Sequence, residues 1–280
     1  MTADPSQAKR AEAFVRLHAR PGLFAIPNPW DAGSAKMLMA LGFEALATTS
    51  AGFAYSIGRP DGERAISRDE TLGNARAIAA ATPLPVSADL ENGFGDEPED
   101  CGETIRQAAA AGLVGGSIED ATGRAEDPIY SFDLAVSRVR AAVRAARSLS
   151  LPFILTARAE NLINGRPDLP DTIRRLVAFA EEGADVLYAP GLRTREEVSA
   201  VVRAVAPKPV NVLMGLSGPS LSLEVLAGLG VKRVSLGSSL ARAAYGAFIQ
   251  AAREVRQQGT FEFALSAVPY AEINALFKVQ

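Results

Sequence analysis

Acidic residues cluster along this chain in a way that suggests a shared ligand. The stretch "SADLENGFGDEPED" holds six carboxylates in fourteen residues, and the first two, Asp89 and Glu91, follow an apolar run. Glu119 ends the next apolar run, and Arg158 lies in the one after that. Carboxylates brought close together repel one another unless a cation lies between them. We predict that Asp89, Glu91 and Glu119 hold Mg²⁺, a hard ion with oxygen ligands, or Mn²⁺ as its substitute.

The same acids also allow a structural interpretation. Two acids at positions i and i+2 of a strand point to the same face, which favours a common ligand. Acids in front of a helix instead cap its free N–H groups, and Asp31 and Asp120 fit that role. Arg158 is harder to explain structurally, because a guanidinium at a buried strand end needs an anion, either Glu160 or a substrate carboxylate.

Histidine, lysine and cysteine are too scarce for several common mechanisms. His18 is the only histidine, so one chain cannot form a His-based triad or a multi-His zinc site. Of the five lysines, Lys208 and Lys232 precede strands, which is the wrong end of a barrel for Schiff-base chemistry. The single cysteine, Cys101, excludes an internal disulfide. Carboxylates, arginines, hydroxyl groups and a metal remain as candidates.

The composition is that of a globular protein. The chain has 280 residues, of which 48% are hydrophobic and 22% charged, with a net charge of −3. Nucleic-acid binding has no support, because no basic stripe with aromatic residues occurs. No signal-peptide or membrane-spanning pattern opens the chain. We therefore expect a cytoplasmic location and no membrane partner.

Short apolar runs alternate with segments of helical periodicity throughout the chain. Glycines that would end a helix precede several of these runs. Strands alternating with helices predict parallel pairing with right-handed crossovers, and eight such units predict an α/β fold closed into a (β/α)₈ barrel of the TIM type. The predicted strands are residues 23–28, 44–50, 85–91, 115–120, 152–160, 184–190, 208–214 and 233–239.

We expect one domain over residues 1–280, with the barrel core at about 22–258. In the helix before the fifth strand, apolar residues recur near helical spacing, which leaves four arginines for water: Arg138, Arg140, Arg144 and Arg147. The first twenty residues predict a short tail and an amphipathic helix, with an apolar side formed by Ala11, Phe14, Val15 and Leu17.

Residues 259–280 predict a helical extension that is rich in apolar side chains. One interpretation is contact between copies of the chain in a homo-oligomer. The other is a helix that packs back onto its own barrel.

Polar residues gather where the predicted strands end, which is where barrels of this type place their active sites. In chain order they are Asn28, Trp30, Asp31, Thr48, Thr49, Ser50, Asp89, Glu91, Glu119, Asp120, Arg158, Glu160, Tyr188, Asn211, Ser235, Ser238 and Ser239. The glycine-containing stretch "GFAYSIGRPDGE" is predicted to be a loop after the second strand. Backbone N–H groups at its start, from Ser50 to Gly52, would suit an anion.

Four segments in this order resemble the isocitrate lyase/phosphoenolpyruvate mutase superfamily. They are "NPWDAGSAKMLMALGFEALATTSAGFAYSIGRPDG", "SADLENGFG", "GGSIED" and "LTARAEN", and the resemblance runs from about Phe24 to Ala241. It implies a Mg²⁺-dependent enzyme that acts on a small α-keto acid or a phosphonopyruvate-like substrate. The reaction passes through an enolpyruvate-like oxyanion and breaks or rearranges a C–C or P–C bond.

The resemblance also implies roles for individual residues. Asp89, Glu91 and Glu119 would hold the metal directly or through water, and Asp61 would attend the metal shell. The substrate's carboxylate and keto group would lie against Ser50, Ala51 and Gly52, with Trp30 beside them. Arg158 would pair with an anionic group of the substrate and stabilise developing charge. Asn211 would add a hydrogen bond from the seventh strand.

Several positions depart from the family pattern. The lyases carry a Lys-x-Cys-Gly-His motif in the loop after strand four, where this chain reads "EDATGRAEDPIYSFD". Cys101 lies elsewhere and is predicted to be a small, semi-buried residue. Arg124 or Tyr130 of that loop would contribute on closure. Pro190 stands where relatives have a glutamate or histidine, and Glu91 replaces the usual aspartate. These departures leave the general acid unassigned.

Two other functions are compatible with the sequence. One is a phosphate-binding barrel enzyme that uses "GLSGPS" (215–220) and "SLGSS" (235–239) after strands seven and eight. The other is a non-catalytic binder of Mg²⁺ and an oxo acid that has lost the acid of the loop. Binding of a phosphate ester at the first site, or binding without turnover, would distinguish them.

Overall fold

A computed structural model describes residues 5–62, 64–215 and 220–278 of the chain. Each predicted strand is present and is shorter than its predicted range, because the polar ends of the runs belong to turns. The strands are β1 (Phe24–Ile26), β2 (Leu46–Ala47), β3 (Val86–Asp89), β4 (Gly115–Glu119), β5 (Ile154–Arg158), β6 (Val186–Tyr188), β7 (Val210–Leu213) and β8 (Arg233–Ser235).

The eight strands form one parallel sheet in the order β1–β8–β7–β6–β5–β4–β3–β2. The two ends of this sheet approach each other where the N–H of Ala47 donates to the carbonyl of Pro27 at 3.0 Å. The prediction of a (β/α)₈ barrel is therefore confirmed, and the carboxyl ends of all eight strands face one rim.

Helices surround the sheet and connect its strands. They are α1 (Pro5–Ala19), α2 (Ala32–Ala40), α3 (Ser50–Ser56), α4 (Arg68–Ala80), α5 (Pro98–Ala110), α6 (Phe132–Arg147), α7 (Leu169–Glu181), α8 (Arg195–Val205), α9 (Leu223–Gly228), α10 (Ser239–Gln258) and α11 (Tyr270–Leu276), with 3₁₀ turns at Asn161–Ile163 and Glu262–Leu265. Asp31 caps α2 by accepting the N–H of Ser34 at 2.6 Å, as the sequence predicts.

Helix α1 covers the end of the barrel opposite the rim. Phe14 and Leu17 are buried against strand residues at the amino-terminal side of the sheet, and the Gln7 amide donates to the carbonyls of Ala109 and Leu113. The prediction that Val15 belongs to the apolar side is wrong, since Val15 is 38% exposed and lies just outside the buried stripe.

Helix α6 corrects a second prediction. Arg140, Arg144 and Arg147 are exposed, but Arg138 is only 1% exposed. Its guanidinium donates to the carbonyls of Asn92 and Asp96 in the loop after β3 and lies 4.2 Å from the centre of the Tyr130 ring. The carbonyl groups of that loop accept hydrogen bonds from Arg138. The helical period of α6 contains no information about where this loop lies.

The carboxyl-terminal segment leaves the barrel at Gly259, which ends α10 in the left-handed conformation (φ 70°). Beyond it, α11 contacts α2, while the segment keeps large apolar side chains exposed, notably Phe261, Leu265 and Tyr270. Among the residues that the structure describes, none of the helices has the length and hydrophobicity needed to span a bilayer.

Candidate active site

Two adjoining cavities open at the carboxyl ends of the strands. Their volumes are about 240 and 200 Å³, and Ser50, Asp61 and Arg158 line both of them, so they are parts of one site. The larger part reaches into the barrel because side chains as small as those of Ala47 and Ser87 line it.

Arg158 is the centre of the charged groups in this site. Its Nη1 lies 2.8 Å from Asp89, its Nη2 lies 3.1 Å from Glu119, and its Nε lies 2.9 Å from Glu160. Its side chain is 13% exposed, and these three acids raise its pKa well above the usual value despite burial. The guanidinium is therefore charged at every physiological pH and holds three strands together at the rim.

Asp89 connects β3 to the segment after β2. It accepts hydrogen bonds from the hydroxyl of Ser50 at 3.0 Å and from the N–H of Ser50 at 3.2 Å, and its own N–H donates to the hydroxyl of Thr48 at 2.9 Å. Asp61 lies at the exposed edge of the same cavity, close to the Ser50 side chain. Ser50 thus lies between two carboxylates that the sequence associates with a metal.

The stretch after β2 is helical at its start, which corrects the prediction of a continuous loop. Ser50, Ala51 and Gly52 form the first turn of α3, behind the cap residue Thr49. The N–H of Ser50 is donated to Asp89 and that of Gly52 to Thr49. Ala51 lines the cavity.

Gly52 and Trp30 pack against each other beside this turn. A Cβ on Gly52 would lie 2.6 Å from Thr49 Cγ2 and 3.0 Å from Trp30 Cβ, so a larger residue would displace the turn. Neither residue lines either of the two cavities. Their position supports the walls of the site.

Glu91 lies at the rim, but in a turn and not at the end of a strand as predicted. β3 ends at Asp89, and Glu91 lies in the following turn with a left-handed backbone (φ 47°), so strand alternation does not orient it. It lines the smaller cavity together with Glu119. Burial, followed by the charges of Asp89 and Asp61, raises the pKa of Glu91 to about 7.

Glu160 is the most deeply buried of the three acids that contact Arg158, with a side chain 3% exposed, whereas the side chains of Glu119 and Asp89 are each 17% exposed. Burial raises the pKa of Glu119 well above its usual value and also raises that of Glu160, while Arg158 opposes both effects. Glu160 is held by its own N–H, which donates to Asp120 at 2.8 Å.

Asp120 is a correction, because it does not cap a helix. It is 3% exposed and accepts hydrogen bonds from Glu160 and, at 3.0 Å, from Nη1 of Arg175. Arg175 comes from α7, fifty-five residues away along the chain. This long-range ion pair fixes the backbone that carries Glu160.

The part of the cavity that lies inside the barrel has a different character. Tyr188 lies over Arg158, with 5.1 Å between ring centre and guanidinium carbon, and burial raises its pKa to about 12. Asn211 is 1% exposed and donates to the hydroxyl of Ser235 at 2.9 Å. Below them, Arg233 donates to Asn211 at 2.9 Å.

The loop after β4 lines the smaller cavity with Ala121 and Gly123, and the contribution of Arg124 or Tyr130 on closure stays a prediction. Tyr130 and Arg124 both bind Asp96, at 2.6 and 2.9 Å, and neither lines either of the two cavities. Cys101 is fully buried at the start of α5, where burial raises the pKa of its thiol to about 11. The predicted phosphate-binding stretch "GLSGPS" falls largely outside the described residues, since 216–219 are not among them.

A divalent metal at this site would bind among the acidic side chains that line the two cavities. In the described ranges, no three His, Cys, Asp or Glu side chains are arranged to enclose a metal ion. The donor set nevertheless suits Mg²⁺, which keeps several waters and takes one or two carboxylates. Five carboxylates surround one guanidinium, and their mutual repulsion contributes to the raised pKa of Glu91 and Glu119. A second cation would relieve this excess of negative charge.

Glu160, one of the two anions that the sequence offers to Arg158, is its partner in the structure. Two other residues of this site had no role assigned from the sequence. Tyr188 stands at a predicted strand end, which was the available signal. Arg233 lies at the start of β8, the end of a strand at which no active-site residue is expected. Only the structure shows that its side chain lines the cavity inside the barrel.

Comparisons with known proteins agree with the resemblance seen in the sequence. The family model described as phosphoenolpyruvate phosphomutase matches residues 14–256. A candidate lyase/mutase from Burkholderia cenocepacia J2315 has a solved structure that is 61% identical, covers 99% of this chain and 98% of its own, and has a TM-score of 0.95.

Two further proteins carry named activities. The 2-methylisocitrate lyase of Halalkalibacterium halodurans is 26% identical, over 92% of this chain and 85% of its own length. The structure of oxaloacetate acetylhydrolase with its product oxalate is 28% identical, covers 98% of this chain and 95% of its own, and has a TM-score of 0.84. Because the family model covers most of the barrel, the chain belongs to the isocitrate lyase/phosphoenolpyruvate mutase superfamily and is an enzyme of that superfamily.

Proposed function

We propose that this protein is a Mg²⁺-dependent enzyme that breaks a C–C or P–C bond of a small 2-oxo acid or phosphonopyruvate-like substrate. The reaction would pass through an enolpyruvate-like intermediate, in which the electron pair of the broken bond is delocalised onto the keto oxygen. The observation that carries this proposal is Arg158, charged and held by three carboxylates at the wall of a cavity at the strand ends.

Each residue near the cavity has a task in this reaction. Arg158 binds an anionic group of the substrate and stabilises the developing negative charge, because it cannot give up its proton. Ser50 and Ala51 lie where the substrate's carboxylate and keto group would bind, and Gly52 with Trp30 keeps that turn in place. Asn211 donates a hydrogen bond from β7.

The metal would bind next to these groups. Asp89, Glu91 and Glu119 would hold Mg²⁺, or Mn²⁺ in its place, directly or through water, with Asp61 at the edge of the metal shell. When bound, the ion supplies Lewis-acid polarisation of substrate oxygen atoms. Ser50 orients Asp89 for this task through its hydroxyl and N–H groups, and Asp61 lines the same cavity beside it.

The related structure with bound oxalate supports an oxo acid as the substrate, since oxalate is the product named for that enzyme. Loss of the lyase loop motif argues against an acid supplied by a loop cysteine, and Cys101 is buried away from the site. We also propose that the enzyme works in the cytoplasm as a homo-oligomer, a tetramer or a dimer, with exchange of the segment after Gly259. The exposed apolar residues of that segment support this assembly.

An NMR assay tests the proposed reaction. The purified enzyme with Mg²⁺ is incubated with oxaloacetate, phosphonopyruvate, 2-methylisocitrate or 2,3-dimethylmalate, and then with the same compounds in excess EDTA. We expect turnover of oxaloacetate or phosphonopyruvate, the two oxo acids of this set, its loss in EDTA and its recovery with added Mg²⁺ or Mn²⁺; turnover of only the two hydroxy acids would contradict an oxo-acid substrate. The identity of the product distinguishes C–C from P–C cleavage.

Two variants distinguish the loss of a proposed metal ligand from the loss of an acidic side chain elsewhere in the protein. Asp89→Asn should lower kcat/KM by at least about 100-fold, the scale on which loss of one electrostatic group at a reacting centre acts. Glu99→Gln, an exposed acid in the first turn of α5, should leave it unchanged. Full activity after complete metal removal would refute the Mg²⁺ dependence, and binding without turnover of any compound would favour the non-catalytic alternative.

A further inference from the structure

Arg233 forms the floor of the larger cavity and has no acidic partner in the part of the chain that the structure describes. Its side chain starts on β8, is 5% exposed and crosses the barrel interior to β5. Nε donates to Oδ1 of Asn211 at 2.9 Å and Nη2 to the hydroxyl of Thr156 at 2.9 Å. No carboxylate of the described residues forms an ion pair with it, whereas Arg158 in the same cavity has three.

A buried guanidinium without a counter-ion is costly, because removal from water disfavours its charge. Burial accordingly lowers the pKa of Arg233 to about 10, while it stays charged near neutral pH. Proteins usually pair such a group, so an anion that arrives with a ligand would remove an existing penalty.

His18 below the floor does not supply that anion. Its Nδ1 lies 2.8 Å from the carbonyl of Phe14, which only accepts, so Nδ1 carries the proton. Its Nε2 therefore presents a lone pair to Nη1 of Arg233 at 3.5 Å. Three of the five N–H groups of Arg233 thus have partners among the described residues, and one on each terminal nitrogen is left to bind a ligand.

The hydrogen bond from Arg233 also fixes the orientation of the Asn211 side-chain amide. Because Arg233 can only donate, the Asn211 oxygen is committed to it, and the Asn211 NH₂ group faces Ser235. Asn211 and Ser235 line the cavity, so the wall above the floor presents a donor amide next to an uncompensated positive charge. A group with oxygen acceptors and a negative charge matches both features.

We propose that Arg233, together with the Asn211 amide that it orients, binds a second anionic group of the substrate, located at the end of the molecule distal to the keto acid. This assignment rests on the proposed function and specifies it further: the enzyme selects dianionic oxo acids over oxo acids with a neutral tail. Arg158 and the metal site then bind the keto-acid end of the substrate, and Arg233 binds the anionic group at its other end.

Ligand binding can be measured without turnover. Trp30 is the only tryptophan and packs beside Gly52 next to the cavity, so its fluorescence reports on ligand binding. In the presence of Mg²⁺, the wild-type protein is titrated with 2-oxobutanoate, 3,3-difluorooxaloacetate and phosphonopyruvate. We expect at least one of the two anionic-tail ligands to bind about 10- to 100-fold more tightly than 2-oxobutanoate, as a charged hydrogen bond provides. The carboxylate and phosphonate arms show which anion fits.

Arg233→Met should abolish this preference while the affinity for 2-oxobutanoate stays unchanged, and Arg233→Lys should retain part of it. Lys208→Met is the matched control: it removes a cation that binds the carbonyl of Ala184 on the same barrel outside the cavity, and the preference should remain. An unchanged preference in Arg233→Met, or a wild-type protein that binds all three ligands equally, overturns the assignment. A wild-type protein that binds none of the three contradicts the proposed function itself.

Asn211→Asp provides a second test that does not depend on the folding of Arg233→Met. The new carboxylate gives Arg233 the counter-ion that it lacks, so Tm should rise while the preference for an anionic tail is lost. A rise in Tm with the preference intact would show that the charge of Arg233 serves no ligand, and would overturn the assignment.

Discussion

Two arginines in one cavity show how partners decide the role of a residue. Arg158 is bound by Asp89, Glu119 and Glu160, and its charge is balanced by the protein. Among the described residues, Arg233 has only neutral partners, including His18, and its charge is not balanced. The same side chain is thus held at the rim by acids in one place and keeps open hydrogen-bond donors in the other.

His18 should make the stability of the protein depend on pH. Burial, followed by the charge of Arg233, lowers its pKa from 6.5 to about 3. Between these two values only the unfolded chain binds the proton, so the free energy of unfolding falls as the pH falls. From pH 7 to pH 5, we expect the wild-type protein to lose about 1–2 kcal/mol more than His18→Gln.

Urea unfolding of both proteins at pH 7 and pH 5 provides this comparison. Acids such as Glu91 also titrate in this range, but they are common to both proteins and cancel in the difference. An equal loss of stability in the two proteins would mean that His18 is protonated in the folded state.

At the scale of elements, the loop after β3 is held by contacts from three other segments. Asp96 accepts hydrogen bonds from Tyr130 and Arg124 of the loop after β4 and from Arg64 of the segment after β2. The hydrogen bond from Tyr130 has the largest influence on the pKa of Asp96 and lowers it. Burial raises this pKa and the contact with Arg64 lowers it further, so that it lies at about 2. Arg138 of α6 binds the backbone of the same loop from inside. Glu91 is therefore positioned by residues far away in the chain.

Arg138→Met should destabilise the protein by about 2–4 kcal/mol, because the carbonyls of Asn92, which is buried, and of Asp96 would lose the donor that Arg138 supplies. Thermal and urea unfolding measure this change. Arg140→Met, two residues along α6, removes an exposed arginine paired with Glu182 and should have little effect. Similar effects of the two substitutions would contradict a special role for Arg138.

At the scale of the whole molecule, the barrel buries its strands but leaves an apolar surface on α10 and the segment beyond it. Phe248 is 68% exposed, Phe261 66% and Leu265 91%. Such a surface is unusual for a protein that stays monomeric, and a second copy of the chain would cover it. The proposed oligomer depends on this surface.

Light scattering after gel filtration should give a mass of two or four chains for the wild-type protein. Phe261→Ser combined with Leu265→Ser should lower that mass or shift the dissociation to higher protein concentration. Val15→Ser changes an exposed apolar residue of α1 and should leave the mass unchanged. A monomeric wild-type protein would refute the oligomer.

The sequence by itself determined the barrel and the strand ends that carry Asp89, Glu119 and Arg158. Apolar runs and helix-ending glycines are local signals, and the ends of parallel strands must meet at one edge. Asp89, Glu119 and Arg158 could therefore be brought together from the sequence before any contact was seen.

Only the tertiary structure decided which of these residues pair. Asp120 looked like a helix cap, but Arg175 reaches it from fifty-five residues away. Arg138 looked exposed, but a loop more than forty residues earlier in the chain buries it. Glu91 looked like a strand residue, but it lies in a left-handed turn. Each of these outcomes depends on contacts with segments that are distant in the chain. The periodicity of the sequence contains no information about such contacts.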